Sequence, residues 1–141
     1  MADKTAISPI VKVKKSDSEW QKQLAPEQYQ VLRQEGTEPP FKNPMHDNKK
    51  PGLYHCAGCE LPLFSSEHKF DSKTGWPSFW QPVAAEVVDT KTDFKIIFPR
   101  TEVHCARCEG HQGHIFKDGP PPTGLRYCIN SAALKFIPAQ L

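Results

Sequence analysis

The paired stretches Cys56-Ala57-Gly58-Cys59 and Cys105-Ala106-Arg107-Cys108 decide the fold. Two cysteines separated by two residues have the spacing with which one short loop presents two thiolates to a tetrahedral metal, and two such loops complete a set of four. Each stretch follows a short run that reads as a strand, Leu53 to His55 and Glu102 to His104, and each has a small residue between its cysteines. Four thiolates leave no coordination place open to water, so the ion expected is one zinc in a structural role, held by Cys56, Cys59, Cys105 and Cys108. A redox-active dithiol pair or an iron–sulfur cluster is the competing reading of the same spacing. His55 and His104, each directly before a knuckle, are candidates to compete as ligands, but the thiolates already fill the set. The segment between the pairs far exceeds the roughly 15 to 20 residues of a compact zinc ribbon, which implies that the metal staples two ends of a larger β-structure.

Around the knuckles the chain reads as further short strands between turns: Leu63 to Ser65, Ala85 to Val88, Phe94 to Phe98, Leu125 to Asn130 and Leu134 to Ile137. A period of two dominates. Thr90-Lys91-Thr92-Asp93 is polar enough to be a hairpin connection. Upstream, Ser16 and Glu19 fit a capping box that opens a short helix through Trp20 and Leu24. Pro26 suits the first turn of a second helix carrying Tyr29, Val31 and Leu32, with Ala25 a poor cap and Gly36 its stop. The Pro-, Lys- and Asn-rich segment from there to Gly52 reads as an irregular loop wrapping the domain. Residues 1–15 are expected to be a flexible N-terminal arm, from which Ile10, Val11 and Val13 can dock a short piece, and residues 16–141 one domain. The fold class is mainly β, stapled by the four-cysteine site, with short N-terminal helices.

A chain of 141 residues with 38% hydrophobic content can build one core when a metal supplements it. Its 14 prolines and 8 glycines favour loops and strands over long helices. A net charge of +2 points to no particular partner, and the densest basic group, Lys12, Lys14 and Lys15, reads as a solvated tail, so nucleic acid is not expected. No stretch is apolar enough to cross a bilayer and the N-terminus lacks the layout of a secretory signal. A cytoplasmic location follows, and in a reducing compartment paired cysteines serve more often as metal ligands than as disulfides.

Cys128 is the fifth cysteine and has no place in the metal set. It is either a buried small hydrophobe or a nucleophile. On a strand, Arg126, Cys128 and Asn130 share one face, so a cation, a thiol and an amide point together where a core strand would carry aliphatic residues.

Five motifs stand in fixed order: Cys56-x-x-Cys59, Gly75-Trp76-Pro77-Ser78-Phe79, His104-Cys105-x-x-Cys108, Gly113-His114-Ile115-Phe116 and Arg126-Tyr127-Cys128-Ile129-Asn130. With Glu27-Gln28-Tyr29 and Gly36-Thr37-Glu38 they make the chain, from about Trp20 to Ile137, resemble the B-type peptide methionine sulfoxide reductases. Five motifs in register are far more specific than any one. The resemblance implies reduction of the R epimer of methionine sulfoxide, free or in oxidised proteins and peptides, on two antiparallel sheets with short N-terminal helices.

The residues suit that reaction. A thiolate at Cys128 attacks the sulfoxide sulfur, the oxygen is protonated to leave, and methionine and a Cys128 sulfenic acid result. An ordinary thiol is only a few per cent ionised at neutral pH, so Arg126 is expected to supply an activating field. His111 and His114, three apart in a Gly-rich loop, are the candidate acids, and Asn130 can orient a water or the oxygen. Trp76 offers a flat wall for the S-methyl group and an indole N–H for a hydrogen bond, and Phe116 completes the pocket. Ordinary packing is the alternative for both, and Phe79 and Trp80 read as core.

Many members of that family carry a resolving cysteine just before Gly-Trp-Pro-Ser-Phe, where this chain has Thr74. With the other cysteines committed to metal, the sulfenic acid is expected to be reduced by an external thiol, thioredoxin or glutathione with glutaredoxin. Two rivals are a non-catalytic zinc-stapled binding module presenting Trp76 and Trp80, and a thiol peroxidase using the same cysteine. The first has no need of a thiol, two histidines and an amide together, and the second no need of a methyl-sized aromatic pocket.

Overall fold

In the computed structural model, which describes residues 10–94 and 98–139, Ser16 caps α1 (Asp17–Gln23) as its sequence demands. The Ser16 hydroxyl accepts from the Glu19 amide at 3.2 Å and the Glu19 carboxylate from the Ser16 amide at 2.8 Å. Ala25 has no side chain to cap α2 (Pro26–Gln34), but the Gln28 side chain accepts its amide at 2.8 Å. The helix stops at Glu35, in the left-handed region at φ 57°. The described residues hold no helix long and apolar enough to cross a membrane.

The strands follow as β1 (Gly52–Cys56), β2 (Pro62–Ser65), β3 (Lys69–Phe70), β4 (Ser78–Phe79), β5 (Val88–Asp93), β6 (Arg100–Cys105), β7 (His111–Phe116), β8 (Arg126–Ile129) and β9 (Leu134–Pro138). They form two antiparallel sheets, one ordered β2-β1-β9 and the other β3-β4-β8-β7-β6-β5. The mainly β class and the two sheets agree with the expectation. The core lies where the sheets meet: Phe64 of β2 stacks on Phe79 of β4 with centroids 4.5 Å apart, and Tyr54 of β1 meets Phe79 edge-on at 5.1 Å. These rings are fully buried, and burial of each stabilises the fold by about 1.5–3 kcal/mol.

Three expectations give way. Thr90 to Asp93 is no hairpin connection but most of β5, an edge strand paired along its length with β6. Its polarity reflects the edge, where only Asp93 is buried. Ala85–Val87 is a turn of 3-10 helix leading into that strand. His111 to Phe116, read as a Gly-rich loop, is β7, whose first four residues are buried between β6 and β8. Gly113 makes that position possible, because a side chain there would run into the Cys128 carbonyl oxygen on β8. The expected strand Phe94 to Phe98 falls largely on residues 95–97, outside the described residues.

Candidate active site and candidate metal centre

The two knuckles are built alike. After each pair stands a glutamate in the left-handed region, Glu60 at φ 66° and Glu109 at φ 63°, and its amide closes the loop onto the carbonyl of Cys56 or Cys105 at 2.8 and 2.9 Å. The sulfurs of Cys56, Cys59, Cys105 and Cys108 all lie within 4.8 Å of one another, close enough to bind a metal ion. Cys56 Sγ is 3.6 Å from Cys108 Sγ, and Cys59 Sγ is 3.4 Å from Cys105 Sγ. Tetrahedral zinc at 2.3 Å requires roughly 3.8 Å between sulfurs. The Gly58 and Arg107 amides and the Gln112 side chain point donors at Cys56 or Cys105 at 3.4–3.5 Å, as suits thiolates. Their neighbours' hydrogen bonds, that of Cys105 first, pull Cys59 and Cys108 down and push Cys56 up, while Cys108 pushes Cys105 up. Trp20 and Leu32 of the two helices close over Gly58 beside Cys108 and shield the cluster. His55 instead bonds the Glu60 carbonyl at 2.8 Å.

Cys128 faces a separate cleft of about 240 Å³ lined by Thr37, Thr74, Trp76, Arg100, Gly113, His114, Phe116, Arg126, Cys128 and Asn130. On β8 the alternation is clean: Tyr127 and Ile129 are buried, while Arg126 and Cys128 face the cleft. His114 stands opposite Cys128 on β7 and Ser78 opposite it on β4. His114 Nε2 lies 2.8 Å from the Asp93 carboxylate, which also accepts from Arg100 at 3.2 Å, so the ends of β5 and β6 fix the imidazole.

The structure thus brings together Trp76, His114, Phe116, Arg126, Cys128 and Asn130. His111 it places elsewhere, in a neighbouring cleft with Glu102 and His104, its Nδ1 3.4 Å from the Glu102 carboxylate. The ring of His111 still meets that of His114 edge-on at 5.4 Å.

Three of these side chains already have partners. The Trp76 indole N–H is already used, donating to the Glu38 carbonyl at 2.9 Å, so what Trp76 offers the cleft is its ring. Arg126 gives a fork to Asp118 at 2.9 and 3.2 Å and lies 4.3 Å over the Phe116 ring, so its charge is shared between these partners and the sulfur. Burial pushes the Cys128 thiol up, and Arg126 and the Thr74 hydroxyl offset this only in part. The Asn130 amide also has fixed partners, donating to the Gln112 carbonyl and accepting from the Glu38 amide, both at 3.0 Å.

Sequence reasoning missed Asp93, Arg100 and the hub role of Glu38. The Glu38 carboxylate accepts from the Ala132 amide at 2.9 Å and from the Ser131 amide, while its own backbone holds Trp76 and Asn130. Burial pushes this carboxyl up against the pull of those bonds. A signal for Glu38 existed in Gly36-Thr37-Glu38, but Asp93 and Arg100 have none in their local sequence.

The family described as SelR domain matches residues 24–138. Peptide methionine sulfoxide reductase MsrB of Leptospira interrogans is 56% identical over 88% of this chain and 95% of its own length. The protein of that name from Thioalkalivibrio sulfidiphilus is 54% identical over 86% of this chain and 88% of its own. Peptide methionine sulfoxide reductase B1, chloroplastic, of Arabidopsis thaliana is 57% identical over 85% of this chain and 59% of its own.

Proposed function

The chain belongs to the SelR domain family, and on that premise we propose that it reduces methionine R-sulfoxide, in oxidised proteins and peptides and as the free amino acid, with Cys128 as nucleophile. The observation that carries the reading is the convergence of one thiol, one carboxylate-held histidine and two aromatic walls on a single cleft. The S-methyl group lies against Trp76 and Phe116. The Cys128 sulfur attacks the sulfoxide sulfur while the oxygen takes a proton, for which His114, oriented by Asp93, is the donor. The S–O bond of the substrate then breaks as its hydroxyl passes to the Cys128 sulfur and the transient bond between the two sulfurs opens, giving methionine, reduced by two electrons, and Cys128–SOH, oxidised by two. Because burial keeps the resting thiol protonated, its ionisation belongs to the substrate-bound cleft. Arg126 supplies what field Asp118 leaves, Asn130 and Glu38 hold the walls in register, and His111 backs His114.

One external thiol then condenses with the sulfenic acid, releasing water and leaving a mixed disulfide, and a second thiol releases Cys128. Thioredoxin or another cellular thiol in a reducing cytoplasm fits this role. In the reduced protein the other four cysteines gather in the separate cluster, where the donor set suits one structural zinc that holds the fold and takes no part in the chemistry.

The test is reduction of the separated R and S epimers of an N-blocked methionine sulfoxide with dithiothreitol, by wild type and Cys128→Ser. Activity on the R epimer alone, abolished by the substitution, is expected. Folded, metal-loaded protein inactive on both epimers would return the chain to the binding-module reading.

A further inference from the structure

Thr74 shares the cleft wall with Cys128, and behind it runs a chain of hydroxyls. Thr74 Oγ1 lies 2.7 Å from Ser72 Oγ, Ser72 Oγ lies 2.7 Å from Ser78 Oγ, and Ser78 Oγ donates to the Trp76 carbonyl at 3.1 Å. Ser78 is fully buried and paired with Cys128 across β4 and β8. Each hydroxyl has one proton to give, so the direction of the bond at one end fixes the others. With Ser78 donating to a carbonyl, which can only accept, Ser72 donates to Ser78 and Thr74 to Ser72. The Thr74 oxygen is then left as an acceptor in the cleft it shares with Cys128, which suits a thiol S–H. In the reverse setting Ser78 donates to Ser72, Ser72 to Thr74 and Thr74 to the sulfur, which suits a thiolate. The exchange loses the bond to the Trp76 carbonyl and gains one to a charged acceptor, roughly twice as strong as a neutral bond.

We propose that Thr74, Ser72 and Ser78 form a reversible donor array that turns with the charge on Cys128: Thr74 is the member that shares the cleft with the sulfur, and Ser72 and Ser78 act through it as positioning residues. At rest the array holds the Thr74 proton away from the thiol. When the sulfur ionises the three hydroxyls rotate, and no proton leaves any of them. The proposal rests on reading Cys128 as the nucleophile, and it adds a device that makes the thiol quiet without substrate and ready with it. The pull of the Thr74 hydroxyl toward the ionised form of Cys128 agrees with the second setting. The charged groups facing the sulfur are Arg126 with Asp118 on its own strand and beyond, His114 with Asp93 and Arg100 from β7, β5 and β6, and Glu38 from the loop. The test leaves all of them unchanged.

The array makes opposite signs for two neighbouring hydroxyls. Thr74→Val removes the donor to the thiolate, whereas Ser72→Ala removes the acceptor that draws the Thr74 proton away. The measurement is the rate of Cys128 alkylation by iodoacetamide against pH, in the metal-loaded protein, with the site of modification read by mass spectrometry. For Thr74→Val the midpoint is expected to rise by about one pH unit, a tenfold loss of thiolate. For Ser72→Ala it is expected to fall, with about threefold more thiolate below the midpoint. Thr74→Ser and Ser72→Thr, which keep the hydroxyls, should match wild type. A midpoint for Ser72→Ala that stays or rises, one for Thr74→Val that stays or falls, or conservative variants that behave as deletions would each overturn the array. Alkylation needs no sulfoxide, so inactivity on methionine sulfoxide would sink the proposed function and leave these shifts to be judged alone.

Discussion

The two sulfur sites of this chain are built on opposite plans. The metal centre is one local loop used twice, each copy carrying its two cysteines and a left-handed glutamate within five residues, and only the approach of the copies depends on the rest of the fold. The cleft of Cys128 draws one wall from each of several distant segments, around residues 37, 74–76, 100, 113–116 and 126–130, with Asp93 behind His114. In the first, the sulfurs answer one another and helices cover them. In the second, a single sulfur stays reachable, and burial pushes its thiol up. A sulfur that serves stability can be enclosed completely, while one that must meet a substrate cannot, so its activation has to come from groups that move or arrive.

Substitution of one sulfur at each site gives the largest contrast. Cys56→Ser removes a ligand from the candidate metal centre, where a bound zinc would, by analogy with zinc peptides, contribute on the order of 10 kcal/mol, comparable with the whole stability of a domain. It is expected to lose bound metal and the folded far-UV signal together. Cys128→Ser should keep both, with stability changed by about 1 kcal/mol or less. Elemental analysis and thermal unfolding of the two variants check this, and a Cys56→Ser protein that unfolds at the wild-type temperature would end the contrast. Within the cleft the next effect is at Asp93. Asp93→Asn keeps the shape but not the charge that holds His114, so kcat should fall on the order of 100-fold with KM and metal content little changed. A loss confined to KM would move Asp93 out of the proton-transfer role.

The same contrast explains what was legible in the sequence. The knuckles, the Ser16 capping box and the strands ending at Cys56, Cys105 and Ile129 announce themselves because spacing, cap and alternation are local signals. The two strands misread on either side of β6 failed for related reasons. β5 is polar because it is an edge, and His111-Gln112-Gly113-His114 is polar though buried, because His111 lies against the Glu102 carboxylate, Gln112 donates to Cys56 Sγ and His114 meets Asp93, all on other strands. A period-two reading cannot see such partners. For the site, the residues that touch the cleft and fall within motifs could be named, whereas Asp93 and Arg100 depend on a strand pairing that no local pattern encodes.

Glu38 separates activity from stability. Burial raises its carboxyl in the folded protein, so its contribution to stability is present below the unfolded carboxylate value, about 4.3, and lost as pH rises through the higher folded value. At neutral pH the ionised group supports folding less than its protonated form does, yet it clamps the loop that holds Trp76 and Asn130. Glu38→Gln is therefore expected to unfold at or above the wild-type temperature at pH 7, while kcat/KM drops about tenfold through the loosened walls. Parallel losses in both would make Glu38 an ordinary structural residue.

The smallest expected effect asks whether the second knuckle owes its shape to the metal or to the chain that crosses it. Lys12 donates to the Ala106 carbonyl at 2.6 Å and lies 3.6 and 3.8 Å from Asp89 and Glu109, while the Val13 amide donates to the Arg107 carbonyl at 2.8 Å. All three charged side chains are about half exposed, and such pairs contribute about 0–1 kcal/mol because water and salt screen them. Lys12→Ala should then lower stability by no more than that, with metal affinity by competition against a chelator unchanged, since the backbone bond from Val13 remains. A loss above about 2 kcal/mol, or metal released to a weaker chelator, would mean that residues 10–13 hold the Cys105–Cys108 loop in its ligating shape, and the metal centre would then be less local than its sequence suggests.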